Sequence, residues 1–304
     1  MKEYKMDFYN NTNLKSYDLN ESMRYQLAML DSLDVFTRLH SENVANLSCR
    51  ICEYMHMKDY FTVYCTMCAY LHDIGKQFIP SSILQKNGPL TDDEYNVMKT
   101  HTSIGYEMCK RDEKLRPYAS GTLYHHESLD GTGYPNGVTN QDIPLEAQII
   151  RVADEFDAIT SKRQYKTHVG VCDTLKILID KTYPDKNINP KVGKVNPMVV
   201  KALIKVVIED TNYELYNLQL YVEYIRDEIK RLEEIKTYIA KMNNSNNENN
   251  REYYANSAKY LLQSGETFEN YEQVLEEYKQ AYVVRKDGYN KLKEEIHQIK
   301  KLKV

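Results

Sequence analysis

Two dense clusters of histidine and acidic residues mark where this chain could do chemistry. The first is His72-Asp73, an adjacent imidazole and carboxylate that Lys76 follows one helical turn later. The second is the run His125-His126-Glu127. Neutral imidazole nitrogen and carboxylate oxygen are ligands that divalent iron, manganese and zinc accept. The two clusters therefore favour a metal site.

Three more residues of the same types stand alone in the sequence, each on a separate predicted helix: His40, His101 and Asp154. A helical bundle can bring such residues together in its core. Five histidines and two aspartates exceed the needs of one tetrahedral ion. The set therefore favours two neighbouring ions that share a bridging carboxylate, an arrangement that can clamp a phosphodiester during in-line attack.

Each of these residues taken singly has a plainer explanation. A histidine on a helix is usually a packed or capping residue, and a His-Asp or His-His pair can arise by chance or on a surface. Taken together, in this order and spacing, coincidence explains the set poorly. The remaining histidines, His56, His168 and His297, have no suggestive acidic or histidine neighbour and are expected to be structural.

The elements that must position these residues are helices. Apolar residues recur at helical spacing, and the alternation typical of strands is nearly absent. A helix is predicted from about Tyr60 to Ile74, and a capping box of Thr91 and Glu94 opens the helix that carries His101. Further helices are predicted at 44–54, 144–159 and 198–208, and the Gly- and Pro-rich segment 130–137 is predicted to be a loop. The fold class is therefore all-α.

The character of the sequence changes from about Thr211. Apolar residues then follow roughly heptad spacing among many Lys and Glu residues, up to a polar Asn-rich break at 243–250. A second apolar helical run is predicted from Leu261 to Ile299. The two runs predict a C-terminal helical hairpin or coiled coil that serves packing or dimerisation, with a sensory or docking module as the alternative. The predicted domains are a polar segment 1–21, a catalytic domain 22–210 and a helical extension 211–304.

The composition argues against nucleic acids and membranes as partners. The chain has 304 residues, of which 42% are hydrophobic and 28% charged, and a formal net charge of −4. This charge does not favour a polymeric nucleic acid or an anionic membrane surface as partner. No apolar stretch is long enough to span a bilayer, and the first residues lack the apolar core of a signal peptide. A cytoplasmic location without a membrane anchor is expected.

The six cysteines include two C-x-x-C pairs, Cys49 with Cys52 and Cys65 with Cys68. This spacing permits a zinc or redox site. Both pairs also fall in helical apolar patterns, where residues three apart share one face of a helix. Without a secretory signal, buried free thiols in a reducing compartment are the favoured interpretation.

The segment His125–Pro135 reads H-H-E-S-L-D-G-T-G-Y-P and matches the H-H-E-x-x-D-G-x-G-Y-P signature of the HD-GYP branch of the HD-domain phosphohydrolases. With the flanking motifs, the chain resembles this family over roughly Asp31 to Asp210. The resemblance implies an HD-domain helical bundle with phosphodiesterase activity. Members of this family open cyclic di-GMP to pGpG, and some continue to GMP.

The resemblance also implies a role for each motif residue. One metal ion would be held by His40, His72, Asp73 and Asp154. The second would be held by Asp73 as a bridge, with His101, His125 and His126. Asp73 and Lys76 would be catalytic, since the Lys76 ammonium can bind the scissile phosphate or assist the leaving oxygen. Substrate phosphates would be bound by Arg163 and Lys166, and the loop beside the site would be shaped by Gly131, Gly133, Tyr134 and Pro135.

Phe36 stands where some relatives carry a carboxylate for a third ion, so two divalent ions are predicted. Iron or manganese is expected, with zinc, nickel and magnesium as alternatives. The leading hypothesis is hydrolysis of cyclic di-GMP by a hydroxide that bridges the two ions. The alternatives are hydrolysis of another cyclic dinucleotide or a nucleotide phosphate, and a signalling scaffold that binds a nucleotide without cutting it. The C-terminal helices or the Gly-Tyr-Pro loop would dock a second copy or a protein partner.

Overall fold

The computed structural model describes residues 35–160, 170–184 and 192–304, and the regular secondary structure in these ranges is helical. Within them, the extended pairing is limited to one isolated bridge between Asp130 and Thr139. The prediction of an all-α fold is confirmed. The predictions for the polar segment 1–21 and for the apolar residues up to position 34 lie outside the described residues.

The chain divides into two compact units, Met1–Val207 with Lys301–Val304, and Ile208–Lys300. The predicted assignment of 22–210 to a catalytic domain stays a prediction. The helices that begin in the first unit are α1 (Val35–Tyr54), α2 (Asp59–Leu71), α3 (Ser81–Leu84), α4 (Asp92–Arg111), α5 (Ala119–Tyr124), α6 (Leu145–Thr160), α7 (Val171–Asp180) and α8 (Pro197–Asn244). Two 3₁₀ turns lie at Ile74–Phe78 and Arg116–Tyr118.

Helix α4 begins at the predicted capping box. The Thr91 hydroxyl accepts a hydrogen bond from the Glu94 N–H at 3.3 Å, and Glu94 Oε2 accepts one from the Thr91 N–H at 2.7 Å. Acidic residues fill the first turn and basic residues the last, which complements the helix dipole. These features fix the helix that carries His101.

Helix α2 ends at Leu71, three residues before the predicted end at Ile74, and a 3₁₀ turn follows. The reason is a close approach of two backbones. A Cβ atom on Gly75 would lie 2.0 Å from the backbone oxygen of His101, so this turn sits directly against α4. Because the chain changes direction after Leu71, His72 and Asp73 lie at the end of α2 and beside α4.

Four cysteines on α1 and α2 are fully buried: Cys49, Cys52, Cys65 and Cys68. These and Cys109 are buried free thiols, whereas Cys172 is half-buried, so the predicted free thiols are confirmed. Burial raises the pKa of Cys49 to about 12, which keeps this thiol protonated and unreactive.

In the second unit, α8 continues to Asn244 without the predicted change of element near Thr211. The Asn-rich break is confirmed, because Asn247 caps α9 (Glu248–Leu261). The predicted single run from Leu261 to Ile299 is interrupted. The chain turns at Gly265, where φ is +87°, before α10 (Tyr271–Lys301) begins. A glycine accepts this left-handed conformation at little cost, which explains the interruption.

The second unit has its own apolar cluster and a partly buried ion network. The cluster contains Leu232, Ile235, Ala258, Tyr271 and Leu275. The Arg231 guanidinium donates to Glu228 Oε2 at 2.7 Å and to both carboxylate oxygens of Glu266 at 2.6 and 2.7 Å. Among the helices that the structure describes, none combines the length and the apolar character needed to cross a bilayer.

We predict that Gly75→Ala lowers the free energy of unfolding by about 1–3 kcal/mol, because the new methyl group overlaps backbone atoms that cannot move aside. Urea unfolding followed by circular dichroism measures the change. Gly288→Ala in α10 is the matched control. Its methyl group would meet Leu218 Cδ2 at an ordinary 3.8 Å, so the variant should gain about 0.5–1 kcal/mol. An unchanged Gly75→Ala midpoint would contradict the close approach.

Candidate metal centre

Five helices or their ends bring the predicted metal-binding side chains together. His40 comes from α1, His101 from α4 and Asp154 from α6, while the two dense clusters follow the ends of α2 and α5. Six of the seven residues lie in two groups in which the ligand atoms are within 4.8 Å of one another: His40, His72 and Asp73 in one, and His101, His125 and His126 in the other. Except for the half-buried His126, both groups are buried.

The Asp73 carboxylate lies between the two groups, with one oxygen facing each. On one side, Asp73 Oδ2 is 3.3 Å from His72 Nε2 and 3.8 Å from His40 Nε2. On the other, Asp73 Oδ1 is 3.3 Å from His101 Nε2 and 3.9 Å from His125 Nε2. This is the arrangement expected of a carboxylate that is shared by two ions.

Asp154 reaches both groups as well. Its Oδ1 is 3.0 Å from His40 Nε2, and its Oδ2 is 3.7 Å from His126 Nδ1. The resemblance assigns Asp154 to the ion held by His40, and the shorter distance agrees with that assignment. Asp154 therefore links the His40 group to His126.

Backbone carbonyl groups orient three of the imidazole rings. His72 Nδ1 lies 2.6 Å from the Ala69 oxygen, and His101 Nδ1 lies 2.6 Å from the Met98 oxygen. His125 Nδ1 lies 3.0 Å from two carbonyl oxygens of α5. A carbonyl oxygen only accepts, so each Nδ1 carries the proton in the neutral ring. The Nε2 lone pairs of all three rings therefore point into the centre.

These lone pairs face other electron-rich atoms at short distances, which supports a cation between them. His101 Nε2 and His125 Nε2 are 3.3 Å apart, and neither carries a proton in this tautomer. His72 Nε2 and Asp73 Oδ1 are buried and find no hydrogen-bond partner among the described residues. Buried polar atoms without partners are costly, and a shared divalent cation removes that cost. The donor set thus fits metal ions.

The protonation states of four proposed ligands, Asp73, His101, His125 and His126, agree with a role in metal binding. Burial lowers the pKa of His101 to about 4 and holds the pKa of His125 and His126 well below the usual value, so these rings are neutral at pH 7. Burial acts to raise the pKa of Asp73, but the neighbouring His72 ring and the Lys76 ammonium hold it well below its usual range. Neutral imidazole and ionised carboxylate are the forms that bind metal ions.

His40 is held between two carboxylates. Its Nδ1 lies 2.7 Å from Asp157 Oδ2, and Asn43 Nδ2 donates to the other oxygen of Asp157 at 3.1 Å. Burial lowers the pKa of His40, but hydrogen bonds to Asp154 and Asp157 raise it to about 9. Sequence analysis missed Asp157. Its position three residues after Asp154 places both on one face of α6, which was the available signal.

Arg151 was also missed. Its guanidinium Nη1 donates to the His126 carbonyl oxygen at 3.3 Å and lies 3.5 Å from His126 Nδ1. The Tyr134 N–H donates to the same carbonyl at 3.2 Å. These contacts hold the backbone and ring of His126 in place. No sequence pattern around Arg151 indicated them, since they depend on the contact between α6 and the loop after α5.

The predicted loop follows His126 and folds back over it. Glu127 Oε1 accepts hydrogen bonds from the backbone N–H groups of Asn136 at 2.7 Å and Gly137 at 3.2 Å. A Cβ atom on Gly133 would lie 2.3 Å from the Ser128 nitrogen, so only glycine fits there. As a result, the Tyr134 ring stacks on the His126 ring at a centroid distance of 4.7 Å.

The remaining predicted residues differ in their placement. Lys76 forms an ion pair with Asp73 Oδ2, and its side chain is 16% exposed. Pro135 is exposed in the loop, and Gly131 adopts a φ of +80°. Phe36 is 71% exposed, and the number of ions stays a prediction. Arg163 and Lys166 lie outside the described residues.

Comparison with known proteins agrees with this centre. Residues 24–187 match the HD domain family. A cyclic di-GMP phosphodiesterase of Thermotoga maritima is 39% identical over 182 residues, which cover 59% of this chain and 47% of that protein. The cyclic di-GMP phosphodiesterase PA4108 of Pseudomonas aeruginosa is 32% identical over 184 residues, covering 60% and 42% of the two chains.

A third relative has a different named substrate. The 3'3'-cGAMP-specific phosphodiesterase 3 of Vibrio cholerae is 33% identical over 150 residues, which cover 49% of this chain and 33% of that protein. The chain belongs to the HD-domain family, and its predicted resemblance to the HD-GYP branch is confirmed. It spans less than half the length of these three relatives.

We predict that Asp157→Asn weakens metal affinity about 10- to 100-fold, because the amide no longer fixes the His40 ring with a charged acceptor. Titration with Mn²⁺, followed by elemental analysis of the bound metal, measures the loss. Asp173→Asn is the matched control, since that carboxylate is 65% exposed and pairs only with Lys176 among the described ion pairs. Equal affinities in the two variants would show that Asp157 does not support the centre.

Proposed function

We propose that this chain is a metal-dependent phosphodiesterase that hydrolyses cyclic di-GMP to pGpG, with GMP as the alternative final product. The observation that carries the proposal is the Asp73 carboxylate, buried between two groups of histidines with one oxygen directed at each. Two relatives from different bacteria are named cyclic di-GMP phosphodiesterases, which supports this substrate.

Two divalent ions are proposed, with Asp73 as their common ligand. His40, His72 and Asp154 would complete the first set, and His101, His125 and His126 the second. Ions bound here would polarise a phosphodiester and lower the pKa of a water molecule, which is the chemistry that hydrolysis requires. Iron or manganese suits a set rich in imidazole and carboxylate, with zinc, nickel and magnesium as alternatives.

The chain's own cations would hold the substrate. Lys76 places an ammonium against Asp73, at the centre of the donor set, where it can neutralise a phosphate oxygen or a leaving oxygen. Arg163 is proposed to bind a second phosphate through its planar guanidinium, with Lys166 as a further cation. The loop of Gly131, Gly133, Tyr134 and Pro135 would form the wall of the site beside His126.

A second candidate substrate is another cyclic dinucleotide. The relative named a 3'3'-cGAMP-specific phosphodiesterase supports this alternative, because its similarity falls in the range of the cyclic di-GMP enzymes. A scaffold without turnover is a weaker alternative. Such a protein has no reason to keep seven buried or half-buried ionisable groups in one place, since their burial is costly.

Location and partners are also part of the proposal. We place the chain in the cytoplasm, because its buried free thiols suit a reducing compartment. The helices of the second unit, or the Gly-Tyr-Pro loop, would dock a second copy of the chain or a protein partner. The docking role of the loop follows from the resemblance to the HD-GYP branch, and that of the helices from their amphipathic pattern.

The proposal is tested by turnover of cyclic di-GMP. Protein purified without chelator and assayed anaerobically with Mn²⁺ or Fe²⁺ should release pGpG or GMP, and a chelator should abolish the release. Products are separated by chromatography. Full metal content without any product would contradict the proposed activity.

We predict that Lys76→Met lowers kcat about 10²- to 10³-fold while the bound metal is retained, because a charge at the reacting phosphate is lost and the donor set is not. Lys176→Met is the matched control, since that lysine is 56% exposed and lies on α7. Steady-state kinetics and metal analysis on the same samples measure both effects. A Lys76→Met enzyme with unchanged kcat would exclude Lys76 from the reaction.

A further inference from the structure

An exposed aromatic ring, that of Tyr95, lies near the candidate metal centre and is separated from it by the ring of Tyr134. Tyr95 is in the first turns of α4, and 45% of its surface is exposed. Its ring meets the Tyr134 ring edge-on, with centroids 6.3 Å apart and planes at 79°. Tyr134 in turn stacks on His126 at 4.7 Å. The three rings form a continuous path from the donor set to the protein surface.

A lysine lies over the two tyrosine rings. Lys99 follows Tyr95 by one turn of α4, and its Nζ is 4.6 Å from the Tyr95 centroid and 5.9 Å from the Tyr134 centroid. The same ammonium donates to Asn96 Oδ1 at 3.1 Å. A cation over a tyrosine face is attracted by the ring, so Lys99 is held at this place. Its charge is available to a ligand that stacks on either tyrosine.

We propose that Tyr95, Tyr134 and Lys99 form the subsite for a purine base of the substrate, with Tyr95 as the stacking surface. The proposal rests on the phosphodiesterase function proposed above and adds to it the residues that recognise the base. A nucleotide places its base one sugar away from its phosphate. The two tyrosines follow His126 in the row of rings, and His126 belongs to the donor set where the phosphate is proposed to bind.

The chemistry of the subsite favours guanine over adenine. Guanine presents two acceptors, O6 and N7, along one edge, whereas adenine presents one acceptor beside an amino donor. The Lys99 ammonium only donates, so it suits the guanine edge. Stacking on an aromatic side chain contributes an amount that alanine substitution should reveal as a roughly 5- to 150-fold weaker binding.

The absence of tryptophan from the sequence permits a direct test of stacking. Tyr95→Trp introduces one indole into the chain at the proposed surface, and a stacked purine should quench its fluorescence. The metal-loaded variant is titrated with GMP, with AMP and with ribose 5-phosphate, which lacks a base. Tyr60→Trp is the matched control, because Tyr60 is 73% exposed and lies at the opposite end of α2 from His72.

The expected result is saturable quenching of Tyr95→Trp by GMP, weaker quenching by AMP, none by ribose 5-phosphate and no response from Tyr60→Trp. Lys99→Met in the Tyr95→Trp background should remove the preference for GMP over AMP. Turnover of cyclic di-GMP by the wild-type protein, together with an unquenched Tyr95→Trp, overturns the subsite and leaves the phosphodiesterase function standing. Quenching by GMP without turnover of any cyclic dinucleotide overturns the function and supports the subsite.

Discussion

The mutual repulsion of buried lone pairs is the constraint on which the first unit depends. Three imidazole rings are held by backbone carbonyls so that Nε2 of each points at another electron-rich atom. Nothing in the ordinary packing of a helical core favours that arrangement. Bound metal ions would, because coordination would replace the repulsion between Asp73 and its neighbours. Metal binding would then offset the cost of burying these atoms together.

This constraint explains the rigid supports around the centre. The capping box fixes the start of α4, and Gly75 lets the turn after α2 approach the His101 backbone. Glu127 ties the loop that seats Tyr134 on His126. Each of these devices acts on a helix, turn or loop that carries a proposed ligand or packs against one. Preorganised supports of this kind keep donor atoms in place before the ions arrive.

Much of this could be predicted from the sequence, because helical periodicity, caps and the His-Asp clusters are local signals. The break at Gly265 had a local signal as well, the glycine itself, which sequence analysis did not use. The uninterrupted α8 could not be predicted, since a change in residue pattern near Thr211 does not by itself end a helix. Arg151 and Asp157 escaped notice for a different reason. Their roles come from contacts with His126 and His40, which are distant in sequence. Tyr95 gave no signal by itself, because an exposed tyrosine on a helix is common.

The central claim, that Asp73 joins two ions in one centre, is tested most directly by electron paramagnetic resonance of the Mn²⁺-loaded protein. The account predicts two Mn²⁺ per chain whose spins are exchange-coupled, since a shared carboxylate holds such ions about 3.5–4 Å apart. One ion per chain, or two ions with independent signals, would contradict a bridging Asp73 and with it the proposed mechanism.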